Sequence, residues 1–269
     1  MTGLAGLPMY DFGRLAAAND ALWQAIAARL TAAGLDGVPV HLDRSLPLDR
    51  LWQDPRLLLA QTCGYPLMTS LLGRVRLVAT PRYRAFGCDG PEHGSALVVH
   101  AEDYTSDLAG LRGRRCAANQ RHSNTGMNLL RAAVADVADR KPFFRSVAWT
   151  GSHRASLAMV AAGEADLAAI DVVTLAQLGR TEPQLTNQVR VLVWTEATPG
   201  LPLITSTETD DRTIELLRAA LFEIASAPDH AALRDELLLD GFDLVPETAY
   251  RSILALEQRA IDLRYPHLC

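Results

Sequence analysis

Short apolar runs alternate with amphipathic segments along most of the 269-residue chain, and this alternation constrains the fold more than any other feature. Apolar runs of roughly four to eight residues suit strands that are buried on both faces of a sheet, and amphipathic segments between them suit crossover helices. The pattern therefore predicts an α/β fold with largely parallel sheets.

The pattern also predicts individual elements. We expect strands at 6–10, 38–42, 57–61, 75–80, 96–100, 115–118 and 167–171, with a turn at 62–66. The first helix begins near Leu15 and stops at Gly34, a residue type that often follows the last turn of a helix. Further helices are expected at about 212–226, 230–239 and 247–264 from their apolar spacing.

Two stretches rich in glycine and proline punctuate the chain. The first runs from Phe86 to Pro91 and the second from Thr198 to Pro202. Such stretches disfavour continued regular structure and allow the chain to change direction. We therefore predict a discontinuous lobe formed by residues 1–88 plus 197–269, with a second lobe inserted at 89–196.

The net charge of the chain limits the kinds of molecule that it is expected to bind. The net charge is −5 and the pI is near 5.8, so the chain lacks the broad basic surface of a nucleic-acid-binding protein. Any anionic ligand must be held by a local site. We expect no nucleic acid among the partners.

The N-terminal residues and the cysteines bear on location and on metals. No signal peptide is recognisable, which predicts a cytoplasmic protein, or a periplasmic one if a native leader is missing. No apolar run is long enough to insert into a membrane. The four cysteines form no C-x-x-C pair, which argues against a zinc ribbon or a redox motif, and we expect most of them to be reduced. We expect neither a metal nor a cofactor.

The most informative segment runs from Asn119 to Gly126, after a predicted strand and before a helix. First-turn amides have no intrahelical partner and the helix dipole is positive there, so an oxyanion is favoured. Ser123 and Thr125 add hydroxyls, Asn124 adds an amide, and Gly126 would let the backbone approach a ligand closely. The simpler interpretation is that Ser123 or Thr125 only caps the helix.

Other candidates follow the same logic. Ser152 is the natural cap of a second helix, which places His153 in the first turn, where it can donate a hydrogen bond to an anion or simply be exposed. Asp171 ends a strand, where it can orient His153, contact a ligand or cap the next helix. Tyr10 and Tyr65 follow predicted strands and are either ligand-facing or core residues.

No sequence motif typical of an enzyme emerges. The chain contains no G-x-S-x-G, H-E-x-x-H, P-loop or dinucleotide-binding glycine motif, and its histidines lack metal-ligand spacing. We therefore predict no catalytic residues and no metal ligands, and expect a binding protein rather than an enzyme.

Five short motifs, taken in order, resemble the phosphate/phosphonate substrate-binding family of ABC transporters. They are L-P-M-Y-D at 7–11, Q-T-C-G-Y-P at 61–66, S-N-T-G at 123–126, G-S-H-R-A-S at 151–156 and A-A-I-D at 168–171. The resemblance spans almost the whole chain. It implies a type 2 periplasmic-binding-protein fold, in which two α/β lobes joined by hinge strands hold a ligand in the cleft between them.

The resemblance also implies roles for the candidate residues. Ser123, Asn124 and Thr125 match the segment that binds phosphate or phosphonate oxygens. His153 matches a histidine that approaches the anion, and Asp171 matches an acidic residue near the far side of the ligand. Tyr10 and Tyr65 match ligand-facing positions of the first lobe.

These observations predict a solute-binding protein for phosphate, phosphite or a phosphonate, with an ABC permease as its partner. Without a leader it would serve as a cytosolic sensor, a carrier or an orphan relative of an ABC transporter component. The alternative is a cytosolic enzyme of the same fold, similar to those of menaquinone- or thiamine-precursor synthesis, with His153 and Asp171 as acid and base. A third interpretation is the effector-sensing domain of a regulator, although neither end of the chain offers a DNA-binding segment.

Overall fold

A computed structural model describes residues 2–269 of the chain. Its strands are β1 (Leu4–Gly6), β2 (Leu57–Gln61), β3 (Val75–Tyr83), β4 (Cys88–Asp89), β5 (Glu92–His93), β6 (Ser95–His100), β7 (Arg115–Ala118), β8 (Ser146–Trp149), β9 (Leu167–Asp171), β10 (Val189–Trp194), β11 (Thr198–Pro199), β12 (Leu203–Ser206) and β13 (Leu239–Asp243).

The helices are α1 (Leu15–Ala32), α2 (Leu48–Trp52), α3 (Gly64–Met68), α4 (Leu129–Ala135), α5 (His153–Ala161), α6 (Val172–Thr181), α7 (Pro183–Thr186), α8 (Asp211–Ser226), α9 (Ala231–Glu236) and α10 (Arg251–Asp262). A single π-helical turn, Asn124–Asn128, runs directly into α4. Within residues 2–269, no helix is both long enough and apolar enough to cross a bilayer.

The chain divides into two compact units. The first comprises Met1–Arg84 and Pro199–Ala249, and the second comprises Ala85–Thr198 and Tyr250–Cys269. The expectation that residues 250–269 belong with the N-terminal residues is therefore wrong. The reason is packing, because Leu256 of α10 joins a buried cluster with Leu129 and Ala132 of α4.

The first unit is built on a five-stranded sheet with the order β1-β2-β12-β3-β13. Among residues 2–269, β1 and β2 of this sheet pair in parallel, and the pairs of β12 with β2, β12 with β3 and β13 with β3 are antiparallel. Helices α1 and α8 contribute their apolar faces to the core, with Trp23, Ile26 and Leu30 from α1 and Leu217 and Leu221 from α8. The predicted first helix is thus confirmed, since its apolar residues recur on one face.

Several predictions for the first unit are wrong. The strand expected at 6–10 ends at Gly6, and Pro8–Tyr10 form a 3-10 turn, because proline cannot donate to a strand ladder. The segment 38–42 forms no strand. The turn expected at 62–66 leads into the short helix α3. The helix expected at 230–239 ends at Glu236, and Leu239 starts the unpredicted β13.

The second unit is built on a five-stranded sheet with the order β10-β6-β9-β7-β8. Strands β6, β7 and β9 are buried almost throughout, which explains their uninterrupted apolar sequences. Strand β7 pairs in parallel with both β8 and β9. The segments that follow β7, β8 and β9 therefore all emerge at the same edge of this sheet.

Candidate functional site

The site candidates of the second unit lie at this common edge. Residues 119–126 follow β7, Ser152 and His153 follow β8, and Asp171 is the last residue of β9. Ligands of open α/β sheets gather at the carboxyl ends of strands, so the edge is the expected location of a binding site. The structure brings together segments that are up to about fifty positions apart in sequence.

Ser123 caps the helical segment that begins at Asn124. Its backbone is extended, with φ −83° and ψ 134°, and its Oγ accepts a hydrogen bond from the Gly126 amide. The nitrogen and oxygen atoms of this bond are 3.0 Å apart. The Thr125 amide lies in the first turn, where amides lack an intrahelical acceptor and the helix dipole is positive. Ser123 is thus the helix cap of the simpler interpretation, and the Thr125 amide lies in the position that favours an anion.

The Asn124 side chain is committed to structural hydrogen bonds. Its Nδ2 donates to Thr198 Oγ1 over 2.9 Å, and its Oδ1 accepts from Asn128 Nδ2 over 3.0 Å. The side chain is only 2% exposed. Asn124 therefore ties the start of the helical segment to its surroundings, a role that the sequence analysis did not assign to it.

Position 126 is occupied by glycine for a structural reason that the sequence did not reveal. A Cβ built on Gly126 would lie 1.9 Å from Oδ1 of Asn119. The missing side chain thus makes room for the Asn119 amide group, whereas we expected it to make room for a ligand. Asn119 was not among the predicted site residues, because an asparagine after a strand is common and carries no distinguishing local signal.

His153 opens α5, and Ser152 caps it as predicted. Ser152 Oγ accepts from the Ala155 amide over 3.1 Å. The His153 ring lies between two groups, with Nδ1 3.1 Å from the Ala169 carbonyl oxygen and Nε2 3.2 Å from Thr125 Oγ1. Burial lowers the pKa of His153 despite the nearby Asp171 carboxylate, so the imidazole is neutral at neutral pH. The ring therefore brings no charge to the site.

Asp171 is buried, and both oxygens of its carboxylate meet structural partners. Its Oδ1 accepts from the Thr174 amide over 2.9 Å, which caps α6, and its Oδ2 lies 3.0 Å from His93 Nε2. Burial alone would raise the pKa of Asp171. The electrostatic interaction and the hydrogen bond with His93, together with the electrostatic interaction with His153, outweigh burial and lower this pKa to about 2. Asp171 is therefore an ionised carboxylate inside the second unit.

His93 was missed as a partner of Asp171. It lies on β5, which forms a two-residue hairpin pairing with β4. The two partners are 78 positions apart, and no local pattern links them. The link between them becomes visible in the sheet. Strand β6 pairs antiparallel with β9 and places Ser95 opposite Asp171, so His93, two residues before Ser95, lies near the end of β9.

The two tyrosines belong to the first unit. Tyr10 lies just after β1 and Tyr65 lies in α3 just after β2, so both follow the carboxyl ends of two parallel strands. Tyr10 is buried and packs edge to face against Tyr83, with ring centroids 5.2 Å apart. Tyr65 is half-buried. Both tyrosines lie in the first unit, Tyr10 in the 3-10 turn that follows β1 and Tyr65 in α3, and their role as ligand contacts stays a prediction.

Solved structures with the same fold include phosphonate-binding proteins. A binding protein component of an ABC phosphonate transporter from Pseudomonas aeruginosa is 16% identical, with a TM-score of 0.77 over 97% of this chain and 87% of that chain. PhnD1 from Prochlorococcus marinus in complex with methylphosphonate is 14% identical, with a TM-score of 0.76 over 96% and 97%. A Xanthomonas citri protein bound to ATP is 16% identical, with a TM-score of 0.70 over 98% of both chains.

These similarities show that the chain has the α/β fold of type 2 periplasmic-binding proteins, as the sequence resemblance implies. No curated protein sequence matches the chain. A family model described as "ABC transporter, phosphonate, periplasmic substrate-binding protein" matches residues 57–250, which is more than half of the chain. The chain therefore belongs to the family of periplasmic substrate-binding proteins of phosphonate ABC transporters.

Proposed function

We propose that the protein binds a small tetrahedral oxyanion, a phosphate, phosphite or phosphonate, at the helix start formed by residues 123–126. The observation that carries this proposal is the hydrogen bonding of Ser123. Its Oγ accepts from both the Gly126 amide and Asn119 Nδ2. A hydroxyl oxygen has two acceptor sites, so the Ser123 proton is directed to another acceptor, which we assign to the ligand.

The helix start supplies the rest of the anion site. The Thr125 amide and the Thr125 hydroxyl lie next to Ser123, and the aligned peptide dipoles of residues 124–135 favour a negative charge at this end. The chain as a whole is acidic, with a net charge of −5, so attraction must be local. Hydrogen bonds to a charged acceptor are worth about 1.5–3 kcal/mol each, so each donor at this helix start would add to the affinity for an oxyanion.

The other predicted residues take secondary parts in this proposal. His153 offers a neutral ring beside Thr125, and Ser152 and Asp171 hold the starts of α5 and α6 in place. Tyr10 and Tyr65 remain predicted ligand contacts from the first unit. Asp171 also stays a predicted ligand contact, as the acidic residue that the family resemblance places near the far side of the ligand.

The role that we propose is capture of the solute, without chemical turnover. The family consists of substrate-binding proteins, and PhnD1, which shares the fold, is in complex with methylphosphonate. Within a transporter the protein would hand its ligand to an ABC permease. The same binding step would serve a sensor of phosphonate or phosphate supply.

Isothermal titration calorimetry tests the proposal. The purified protein is titrated with phosphate, phosphite, methylphosphonate and 2-aminoethylphosphonate, with acetate as a control anion that is not tetrahedral. We expect saturable binding of at least one of the four and none of acetate. Absence of binding by all four, with protein whose circular dichroism shows it to be folded, would refute the proposed ligand class.

A further inference from the structure

We propose that Asn119 is a positioning residue that fixes where the protons of the anion site lie, so that Ser123 can only donate to a ligand. This inference rests on the proposed function, because it concerns the same site. Asn119 is buried, with 8% of its surface exposed, and it directly follows β7. Its side chain contacts Ser123 and His153 of the site, and also the backbone amide of Gln120.

The orientation of the Asn119 side chain follows from one contact. The backbone amide of Gln120 lies 2.7 Å from Asn119 Oδ1. A backbone amide is only a donor, so the atom that it meets must be the oxygen of the side-chain amide. Asn119 Nδ2 is thereby directed to the opposite side, where it lies 3.1 Å from Ser123 Oγ and 3.2 Å from His153 Nε2.

The first consequence concerns the Ser123 hydroxyl. Nδ2 carries two protons and no lone pair, so it must donate to Ser123 Oγ. The Gly126 amide donates to the same oxygen. Both acceptor sites of the hydroxyl are then occupied by protein groups, and its proton can only be given away.

The second consequence concerns the tautomer of His153. Because Nδ2 is a donor, His153 Nε2 must accept, and the ring proton of the neutral imidazole must be on Nδ1. The Ala169 carbonyl oxygen, 3.1 Å from Nδ1, is a fitting acceptor for that proton. The Asp171 amide also approaches Nδ1, but at 3.4 Å. We assign the hydrogen bond to the closer carbonyl, because an amide and a protonated nitrogen are both donors.

The surroundings of His153 support a neutral ring. The titratable groups that act on it are Asp171 at the end of β9 and His93 on β5. Burial lowers the pKa of His153 more than the Asp171 carboxylate raises it. Because Nε2 carries no proton in this tautomer, it can only accept, and the Thr125 hydroxyl, 3.2 Å away, is a second donor beside its one lone pair.

Asn119→Asp tests the inference, because the substitution keeps the shape and replaces the donor Nδ2 by an acceptor oxygen. Ser123 would then turn its proton to the new carboxylate, and His153 would gain a proton on Nε2. We expect methylphosphonate affinity, measured by calorimetry, to fall about tenfold or more. Asn187→Asp is the matched control. Asn187 is exposed in the same unit, and its substitution introduces the same negative charge.

Nitrogen-15 NMR of the histidine rings provides a second readout, which needs no ligand and no variant. In the unmodified protein we expect His153 to be neutral with its proton on Nδ1, and in Asn119→Asp we expect a proton on Nε2. A proton on Nε2 of the unmodified protein would overturn the inference, as would equal methylphosphonate affinity of Asn119→Asp and Asn187→Asp. If none of the four anions binds the unmodified protein, the proposed function fails, while the NMR spectrum still decides the proton arrangement.

Discussion

Gly126 and Asn119 share one space in the second unit, since a Cβ on Gly126 would lie 1.9 Å from Asn119 Oδ1. The amide group of Asn119 occupies the place where any other residue at position 126 would put its side chain. The two residues are seven positions apart, on either side of the loop that carries Ser123. The position of the Asn119 donor therefore depends on the absence of a side chain at 126.

Gly126→Ala is expected to weaken both folding and anion binding. The new methyl group must displace the Asn119 amide, and overpacking of a buried site costs about 1–3 kcal/mol. Thermal unfolding and methylphosphonate titration measure the two effects. Gly179→Ala is the control, because a Cβ at Gly179 in α6 meets no atom within 4 Å, and it should stabilise the helix slightly. Equal behaviour of the two variants would show that the 126 position tolerates a side chain.

Ser123→Ala removes the hydroxyl that we assign to the ligand and also removes a helix cap. We expect a loss of about 1 kcal/mol in stability from the cap, and at least about a tenfold loss of anion affinity from the missing charge-assisted hydrogen bond. Ser146→Ala, at an exposed position on β8 of the same unit, should change neither. If Ser123→Ala unfolds at a lower temperature but binds the anion with full affinity, Ser123 only caps the helix and does not bind the ligand.

The lowered pKa of Asp171 should make the stability of the folded protein depend on pH. Its pKa in the folded protein is about 2, below the ordinary 3.8. The unfolded chain therefore takes up this proton first as the pH falls. The stabilisation is fully present above about pH 4 and is lost towards pH 2, and the difference between the two pKa values corresponds to about 2 kcal/mol.

Urea unfolding at pH 5, 4 and 3 measures this dependence. Asp171→Asn should be less stable at neutral pH by about 1–3 kcal/mol, because its partners lose a charged acceptor. It should also lose less stability than the unmodified protein between pH 5 and 3. Asp229→Asn, at an exposed position, should follow the unmodified protein. Parallel curves for the unmodified protein and Asp171→Asn would contradict the assigned role.

The four thiols should differ strongly in reactivity. Cys269 is exposed, whereas Cys63 and Cys116 are buried. Burial, aided by the Asp171 charge, raises the pKa of Cys88 to about 11, and burial also raises the pKa of Cys116. Thiolate is the reactive form, so maleimide should modify Cys269 first and Cys88 slowly. Mass spectrometry of native and urea-unfolded protein counts the modified thiols, and rapid labelling that persists in Cys269→Ser would disagree with this order.

Local sequence patterns were sufficient to predict many of the helices and strands of the fold. The apolar repeat of α1, the buried runs of β6, β7 and β9 and the Ser152 cap were predicted, and a cap at Ser123 was the simpler of two interpretations. Each of these features depends on residues within a few positions of one another. Errors arose where a local signal was ambiguous, as at Pro8–Tyr10, or where short segments were decided by their packing, as at β13.

The sequence by itself also determined which segments could hold an anion, because a strand followed by a polar helix start is a local pattern. Only the tertiary structure decided which side chains meet there. The Asn119 contact with His153 and the His93 contact with Asp171 join residues 34 and 78 positions apart. Such contacts depend on the order and register of the strands, with β7 lying between β9 and β8, and these are set by packing of the whole unit, which no short stretch of sequence contains.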